Sequence, residues 1–207
     1  HIFGAGANRG VTDIVWRQAF RNEVACASDE HAISVLIDLA KCYEHVRHIR
    51  LALEAKCLNF PMVLLRITIR AYEWARKLTI DRRVCADLLP TRGIIAGCAS
   101  ATTELKAFMF RSCSYTIARN PKVSTSIFID DLTIDGQGNK GEVVENVVAA
   151  AVGLIEICED DLKMPIAQNK LAVVASDDLL AAKVGKRLGS QHYAQSHARN
   201  LGVGYRA

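Results

Sequence analysis

The sequence predicts an α+β fold in which an antiparallel sheet is flanked by helices, and three observations support this prediction. Short β-branched runs alternate with amphipathic helical patterns along the 207 residues. Two of these runs, "VSTSIFID" and "DLTIDG", meet at Asp130-Asp131, which favours a hairpin over a parallel crossover. Hydrophobic residues form 50% of the chain and charged residues 23%, as expected for a globular protein with a substantial core.

The first half of the chain predicts helices around one buried strand. Apolar residues recur every 3.6 positions over residues 11–27, which is typical of a helix. The run 32–39, "AISVLIDL", is β-branched and predicts a buried strand that ends near an acid. Residues 43–57 predict one helix, and Pro61 is placed to open the next. The apolar face of the 43–57 helix is expected to carry Val46, Ile49 and Leu53.

The second half begins with an alternating run over residues 77–89, which predicts a hairpin. A glycine-rich turn then opens a helix at about Ser100. After the Asp130-Asp131 hairpin, residues 142–160 predict a strongly amphipathic helix. The run 170–176 predicts a strand, which is followed by a helix capped by Asp177 and ending near Leu188. Residues 1–10 are rich in glycine and predict a loop.

The amino-acid composition indicates which partners and which compartment the chain is suited to. The net charge of +4 permits a nucleic-acid partner without requiring one. The seven cysteines are odd in number, widely spaced and without a C-x-x-C pair, which predicts free thiols in a reducing, intracellular compartment. No apolar run reaches the roughly 18 residues of a membrane span, so we expect no membrane partner.

Acidic side chains end two of the predicted strands. Asp38 closes one strand, and Asp130 and Asp131 stand at the end of another. If the two strands are neighbours in one sheet, three carboxylates converge at one edge. Carboxylate oxygens suit Mg²⁺, which binds proteins through a few carboxylates together with substrate phosphates. The alternative is a plain turn that uses aspartates for their local hydrogen bonding.

The acids belong to a series of motifs that resembles the polymerase domain of reverse transcriptases, of the retroelement (non-LTR retrotransposon) or group II intron type. In chain order, "VLIDLAKCYEHV" resembles motif A, "TRGIIAGCASATTELKAFMF" motif B, "SIFIDDLTI" motif C, "MPIAQNKLAVVAS" motif D and "HARNLGVGYRA" motif E. The match spans about residues 10–205. Motifs A and C are its specific parts.

The resemblance implies a reverse-transcriptase-like domain over residues 1–207, with an α+β polymerase palm. Residues 1–31 would be partial fingers, and residues 32–189 the palm motifs A–D, with a fingers-like insertion at about 58–92. Residues 190–207 would be motif E, the primer grip. A thumb is expected to be absent from this stretch, so the isolated chain is expected to polymerise poorly.

The resemblance also implies roles for individual residues. Asp38, Asp130 and Asp131 would hold two Mg²⁺ ions, for which Mn²⁺ is expected to substitute, and Leu39 would contribute its backbone at the metal and nucleotide site. Lys170 would protonate the departing pyrophosphate, with a simple strand-start lysine as the alternative.

Two further positions concern the incoming nucleotide. Tyr43 lies where the family has an aromatic gate against the ribose 2′-hydroxyl, although a core aromatic would look the same in sequence. Where the family usually has Pro-Gln-Gly, this chain has Ile95-Ala96-Gly97. Ala96 cannot make the usual glutamine contact, whereas Gly97 still permits close backbone approach. Arg9 would contact phosphate or template, with a solvated loop arginine as the favoured alternative.

The partners implied are an RNA template, a DNA primer and deoxynucleoside triphosphates, with a nuclear location if the protein comes from a retrotransposon. Six basic residues between motifs A and B would contact nucleic-acid phosphates or form a solvated surface: Arg66, Arg70, Arg76, Lys77, Arg82 and Arg83. Two alternative functions remain open, an RNA-dependent RNA polymerase and a catalytically degenerate nucleic-acid-binding scaffold. The sequence does not predict the oligomeric state.

Overall fold

The structure, a computed structural model, describes residue 3, residues 10–200 and residues 203–205. It divides into two compact units, His1–Ala40 with Ser112–Ala207 and Lys41–Arg111. The stretch predicted as a fingers-like insertion, at about 58–92, lies within the second unit. Arg9 and the predicted glycine turn of motif E at residues 201–202 lie outside the described residues, as does most of the predicted loop 1–10.

The described elements follow one another in the order helix, strand and helices, then a small hairpin, then alternating helices and strands. They are α1 (Val11–Ala27), β1 (His31–Asp38), α2 (Cys42–His45), α3 (His48–Cys57), α4 (Met62–Tyr72), β2 (Thr79–Ile80), β3 (Arg83–Val84), α5 (Ala101–Ala118), β4 (Ser124–Phe128), β5 (Asp131–Gly138), α6 (Lys140–Glu156), β6 (Ala172–Ala175), α7 (Asp178–Arg187), β7 (Ala198–Asn200) and β8 (Val203–Tyr205).

The first unit is built on a four-stranded sheet with the order β4-β5-β1-β6. Each adjacent pair of strands is antiparallel, so the predicted α+β fold with an antiparallel sheet flanked by helices is confirmed. The predicted hairpin at Asp130-Asp131 is confirmed as well, because β4 and β5 pair up to Phe128 and Asp131. β1 occupies an inner position in the sheet and is buried along most of its length, as its β-branched sequence predicts.

Opposite faces of the sheet are covered by different helices. At Gly136 in β5 a Cβ atom would collide with Val147 of α6, so α6 packs on the face toward which Gly136 is directed. Successive strand residues point to opposite faces. Asp135 therefore faces the other way, where it accepts hydrogen bonds from Gln18 and Arg21 of α1. By the same alternation, Asp131 lies on the face of Asp135 rather than on that of α6.

The α6 face supplies much of the core of the first unit. The buried side chains of α6 include Val143, Val144, Val147, Ala151 and Leu154. Each fully buried valine or leucine side chain stabilises the fold by roughly 1.5–3 kcal/mol before conformational entropy is counted. The helix that follows β6 begins as predicted, since the side chain of Asp177 accepts a hydrogen bond from the backbone N–H of Leu179.

The second unit corrects the prediction of one helix over residues 43–57. The chain breaks at Val46, whose backbone is extended and whose carbonyl accepts from Gly93 N at 2.7 Å. This break rotates α3 relative to the predicted face. As a result Leu51 is fully buried, whereas Ile49 and Leu53 are 81% and 61% exposed.

The described helices include none that is both long enough and apolar enough to cross a membrane. The seven cysteines are all free, as predicted. In the second unit, the fully buried carboxylate of Glu104 accepts hydrogen bonds from Thr68 Oγ1 at 2.6 Å and Tyr72 Oη at 2.8 Å. Hydrogen bonds of this kind offset the cost of burying a polar group.

Candidate active site

Two carboxylates face each other where paired strands of the first unit end. In the register of β1 and β5, Asp38 lies directly opposite Asp131. Residues paired in this way have Cα atoms roughly 4.5–5.5 Å apart and side chains on the same face of the sheet. The structure thus brings together two aspartates that are far apart in sequence, on the face of the sheet opposite α6.

Asp130 is positioned by the tight turn between β4 and β5. Its carbonyl accepts a hydrogen bond from Leu39 N at 3.1 Å, which joins the turn to the end of β1. The residue before it, Ile129, has φ of +60°, a conformation that β-branched residues rarely adopt. Strained backbone of this kind costs about 1–3 kcal/mol and concentrates at functional sites.

The group formed by Asp38, Asp130, Asp131 and Lys170 is called the acidic site below. Burial, together with repulsion from Asp130 and then Asp38, raises the pKa of Asp131 to about 6. Lys170 Nζ donates a hydrogen bond to Asp38 Oδ2 at 2.7 Å. This contact and the neighbouring acids raise the pKa of Lys170. The acidic site therefore combines three carboxylates with one ammonium group.

A cavity of about 290 Å³ opens beside the acidic site. Asp38, Asp131 and Lys170 line it together with apolar Leu36 and Ala172. The exposed side chain of Gln195 also lines this cavity, and nothing in the local sequence pattern predicted a site position there. A cavity lined by both charged and apolar side chains suits a ligand that carries charge at one end.

The donor set of the acidic site fits a hard divalent cation. Among the described residues, no group of three or more His, Cys, Asp or Glu side chains is arranged to hold a metal ion. Mg²⁺ does not require such a group, because it usually binds through one or two carboxylates with waters and substrate phosphates. The facing pair Asp38 and Asp131 offers two such carboxylates beside an open cavity.

The remaining predicted site residues of motif B and the gate position belong to the second unit, whereas the acidic site belongs to the first. Tyr43 is half-buried, and its hydroxyl lies 3.4 Å from Thr102 Oγ1. Ile94 N donates to the Tyr43 carbonyl at 2.9 Å, which ties the start of motif B to this residue. Ala96 and Gly97 form an exposed turn in which Gly97 has φ of +89°.

The basic residues between motifs A and B all lie on the surface of the second unit. Arg70 and Lys77 are paired with Glu73 at 3.6 Å and Asp87 at 3.5 Å, respectively. Surface pairs of this type contribute little to stability, so both groups stay available to another anion. Phosphate binding and a solvated surface both remain consistent with this arrangement.

Among known proteins, only solved structures match this chain, and they indicate its fold. No protein-family model and no curated protein sequence matches the chain. Solved structures of telomerase, an enzyme related to reverse transcriptases, do match. Apo telomerase from Candida tropicalis has a TM-score of 0.64 at 10% identity over 95% of this chain and 35% of that chain. Telomerase from Candida albicans with a TWJ fragment of telomeric RNA has a TM-score of 0.63 at 12% identity, over 95% and 34%.

At this identity the likeness shows a reverse-transcriptase-like fold, and the chain spans about a third of the length of these telomerase chains.

Proposed function

We propose that the chain carries the nucleotidyl-transfer site of a reverse-transcriptase-type polymerase, which extends a DNA primer on an RNA template. The observation that carries this proposal is the pairing of Asp38 with Asp131 across the end of two strands, beside a cavity and with Asp130 in the adjoining turn. Burial raises the pKa of Asp131, and repulsion from the neighbouring carboxylates of Asp130 and Asp38 adds to this rise, as expected for clustered acids without a cation.

The site residues would divide the work of the reaction as follows. Asp38, Asp130 and Asp131 would hold two Mg²⁺ ions, with Leu39 contributing through its backbone. When bound, Mg²⁺ supplies charge neutralisation to the attacking and leaving oxygens of the phosphoryl group. The paired strands fix the two facing carboxylates in advance, so that little reorganisation is needed during the reaction. Lys170 lines the cavity, where it would donate a proton to a departing phosphate oxygen.

Primer extension by the whole protein that contains this chain tests the proposal. We expect a DNA primer on an RNA template to be extended with deoxynucleotides in Mg²⁺ and not with a chelator. Asp38→Asn should lower the rate by at least about a hundredfold, as for other groups that stabilise transition-state charge. Asp178→Asn, an exposed aspartate in α7, is the matched control.

The same assay separates the alternatives. A preference for ribonucleotides would replace the proposal with an RNA polymerase, and RNA binding without extension would indicate a degenerate scaffold.

Sugar selection gives a second test of the same function. If the Tyr43 ring blocks a 2′-hydroxyl, Tyr43→Ala should raise relative ribonucleotide use by about tenfold or more. Tyr43→Phe removes the hydroxyl near Thr102 and keeps the ring, so it should change this ratio little. The measurement is the ratio of catalytic efficiencies for matched ribo- and deoxynucleotides. An unchanged ratio with lower activity on both would reassign Tyr43 to packing, since truncating a core aromatic costs about 3–5 kcal/mol.

A further inference from the structure

The ammonium group of Lys170 occupies the coordination space of Asp38. Lys170 Nζ lies 2.7 Å from Asp38 Oδ2, although 132 residues separate the two in sequence. The Lys170 side chain is 61% exposed and that of Asp38 only 18%. A largely exposed ammonium is therefore bonded to a largely buried carboxylate at the acidic site.

The backbone around Lys170 is tied to the end of β1. Ala167 N donates to the Asp38 carbonyl, and Ala40 N donates to the Pro165 carbonyl, each at 2.8 Å. Lys170 then ends a single 3₁₀ turn, Gln168–Lys170. These bonds keep the base of the side chain beside Asp38, whereas its four-carbon stem lets the ammonium leave without any backbone movement.

One ammonium cannot satisfy this site. Lys170 bonds to Asp38, while Asp131 remains flanked by Asp130 and Asp38. A divalent cation bound to Asp38 at about 2.1 Å would lie within a few ångströms of the ammonium and would be repelled by it. Lysine and metal thus compete for the same carboxylate.

We propose that Lys170 is an internal counter-ion, which holds the cation position at Asp38 in the metal-free protein and leaves it when a divalent cation binds. Lys170 then sets the metal concentration at which the acidic site fills. The released ammonium faces the cavity, where an incoming phosphate would bind. The inference rests on the proposed function, because it takes Asp38 to be a metal ligand.

Direct binding of Mn²⁺ tests this role without any assay of catalysis. Free Mn²⁺ is measured by electron paramagnetic resonance during titration of the wild type, of Asp38→Asn and of three lysine variants. Lys170→Met removes the charge at nearly constant length, Lys170→Arg keeps the charge, and Lys186→Met makes the same charge change at an exposed position in the last turn of α7. We expect Lys170→Met to bind Mn²⁺ about tenfold more tightly, at the weak, water-screened end of the repulsion between an ammonium and a divalent cation. The other two variants should stay within about twofold of the wild type.

A melting experiment provides an independent measurement. In chelator, Lys170→Met should melt at a lower temperature than wild type, because its acids have lost their counter-ion, and Mn²⁺ should close this gap. Unchanged or weaker Mn²⁺ binding by Lys170→Met, or an equal gain in Lys186→Met, would overturn the counter-ion role and leave the proposed function standing. Wild-type binding that Asp38→Asn does not weaken would instead overturn the proposed function.

Discussion

Asp131 and Asp135 lie four residues apart on the same face of β5, yet they stand in opposite surroundings. Asp135 is paired across the ladder with Ser34, whereas Asp131 is paired with another acid, Asp38. The difference separates a carboxylate that is surrounded by hydrogen-bond donors from one that faces another carboxylate.

Donors surround the carboxylate of Asp135. It accepts from Ser34 Oγ at 2.8 Å, Gln18 Nε2 at 3.0 Å and Arg21 NH1 at 3.0 Å. Burial raises the pKa of Asp135. These bonds and the Arg21 charge offset only part of that rise. At the other end of the face, the one ammonium of the acidic site is bonded to Asp38. Surplus negative charge is therefore concentrated at the end where the cavity opens.

The largest expected effect is the loss of unfolding free energy when the carboxylate of Asp135 is removed. Asp135→Ala leaves Ser34, Gln18 and Arg21 without their common acceptor, and we expect it to cost about 2–4 kcal/mol of unfolding free energy. The estimate is below that for a fully buried ion pair because Arg21 is 31% exposed and can reach water. Urea denaturation in chelator measures this cost. Asp131→Ala, the matched control, should cost less than about 1 kcal/mol or stabilise the fold. Equal losses of unfolding free energy in the two variants would contradict the difference between the two aspartates.

The second-largest expected effect is stabilisation by divalent cations, which should depend on the acidic site and not on the surroundings of Asp135. If the acidic site binds a cation only when folded, saturation at about one hundred times the dissociation constant stabilises the protein by about 2.7 kcal/mol. We expect Mg²⁺ or Mn²⁺ to raise the melting temperature of wild type and of Ser34→Ala, and to have little effect on Asp38→Asn. Ser34→Ala removes a hydrogen bond to Asp135 and leaves the acidic site unchanged. Loss of the metal response in this variant would therefore contradict the acidic site as the place where the cation binds.

A smaller effect is expected from pH in the absence of metal. The pKa of Asp131 is raised from 3.8 to about 6 in the folded protein. A raised pKa means that the folded state holds this proton more tightly. The associated stability is therefore complete below about pH 4 and is lost as pH rises through about 6. Because the side chain is half-exposed, solvent screening reduces the loss to about 1 kcal/mol.

Denaturation in chelator at pH 4 and pH 7 measures this loss. Asp131→Asn removes the titrating group, so its stability should fall less between the two pH values than that of wild type. Parallel pH profiles for the two proteins would show that Asp131 is not the group responsible.

Local patterns predicted the parts of the fold that depend on neighbours in sequence. The β-branched runs of β1, β4 and β5 gave strands, and the helical period of α6 gave a buried face. The break at Val46 was missed because it depends on a hydrogen bond from Gly93, across nearly fifty residues of chain. No pattern within the 43–57 segment could reveal that bond, so the predicted apolar face was wrong at Ile49 and Leu53, although Val46 is buried.

The acidic site shows the same division. The sequence pattern predicted Asp38, Asp130 and Asp131 as site residues because each follows an apolar, β-branched run. The bond from Lys170 to Asp38 spans 132 residues, and that from Arg21 to Asp135 spans 114, so neither has a local signal. Asp135 itself could have been noticed, since it shares the two-residue alternation of Asp131 and Thr133. The strained backbone of Ile129 had no sequence signal at all, because isoleucine is a poor residue for that conformation.

The central claim, that the end of the sheet with Asp38 and Asp131 is a divalent-cation site, is tested most directly by anomalous diffraction from crystals soaked in Mn²⁺ and a deoxynucleoside triphosphate. We expect a manganese peak about 2.0–2.2 Å from carboxylate oxygens of Asp38 and Asp131, with a second peak about 3.5–4 Å away when the triphosphate is bound. Lys170 Nζ should have left Asp38 in the same crystals. Absence of manganese between these two aspartates, with Lys170 still bonded to Asp38 at saturating Mn²⁺, would contradict it.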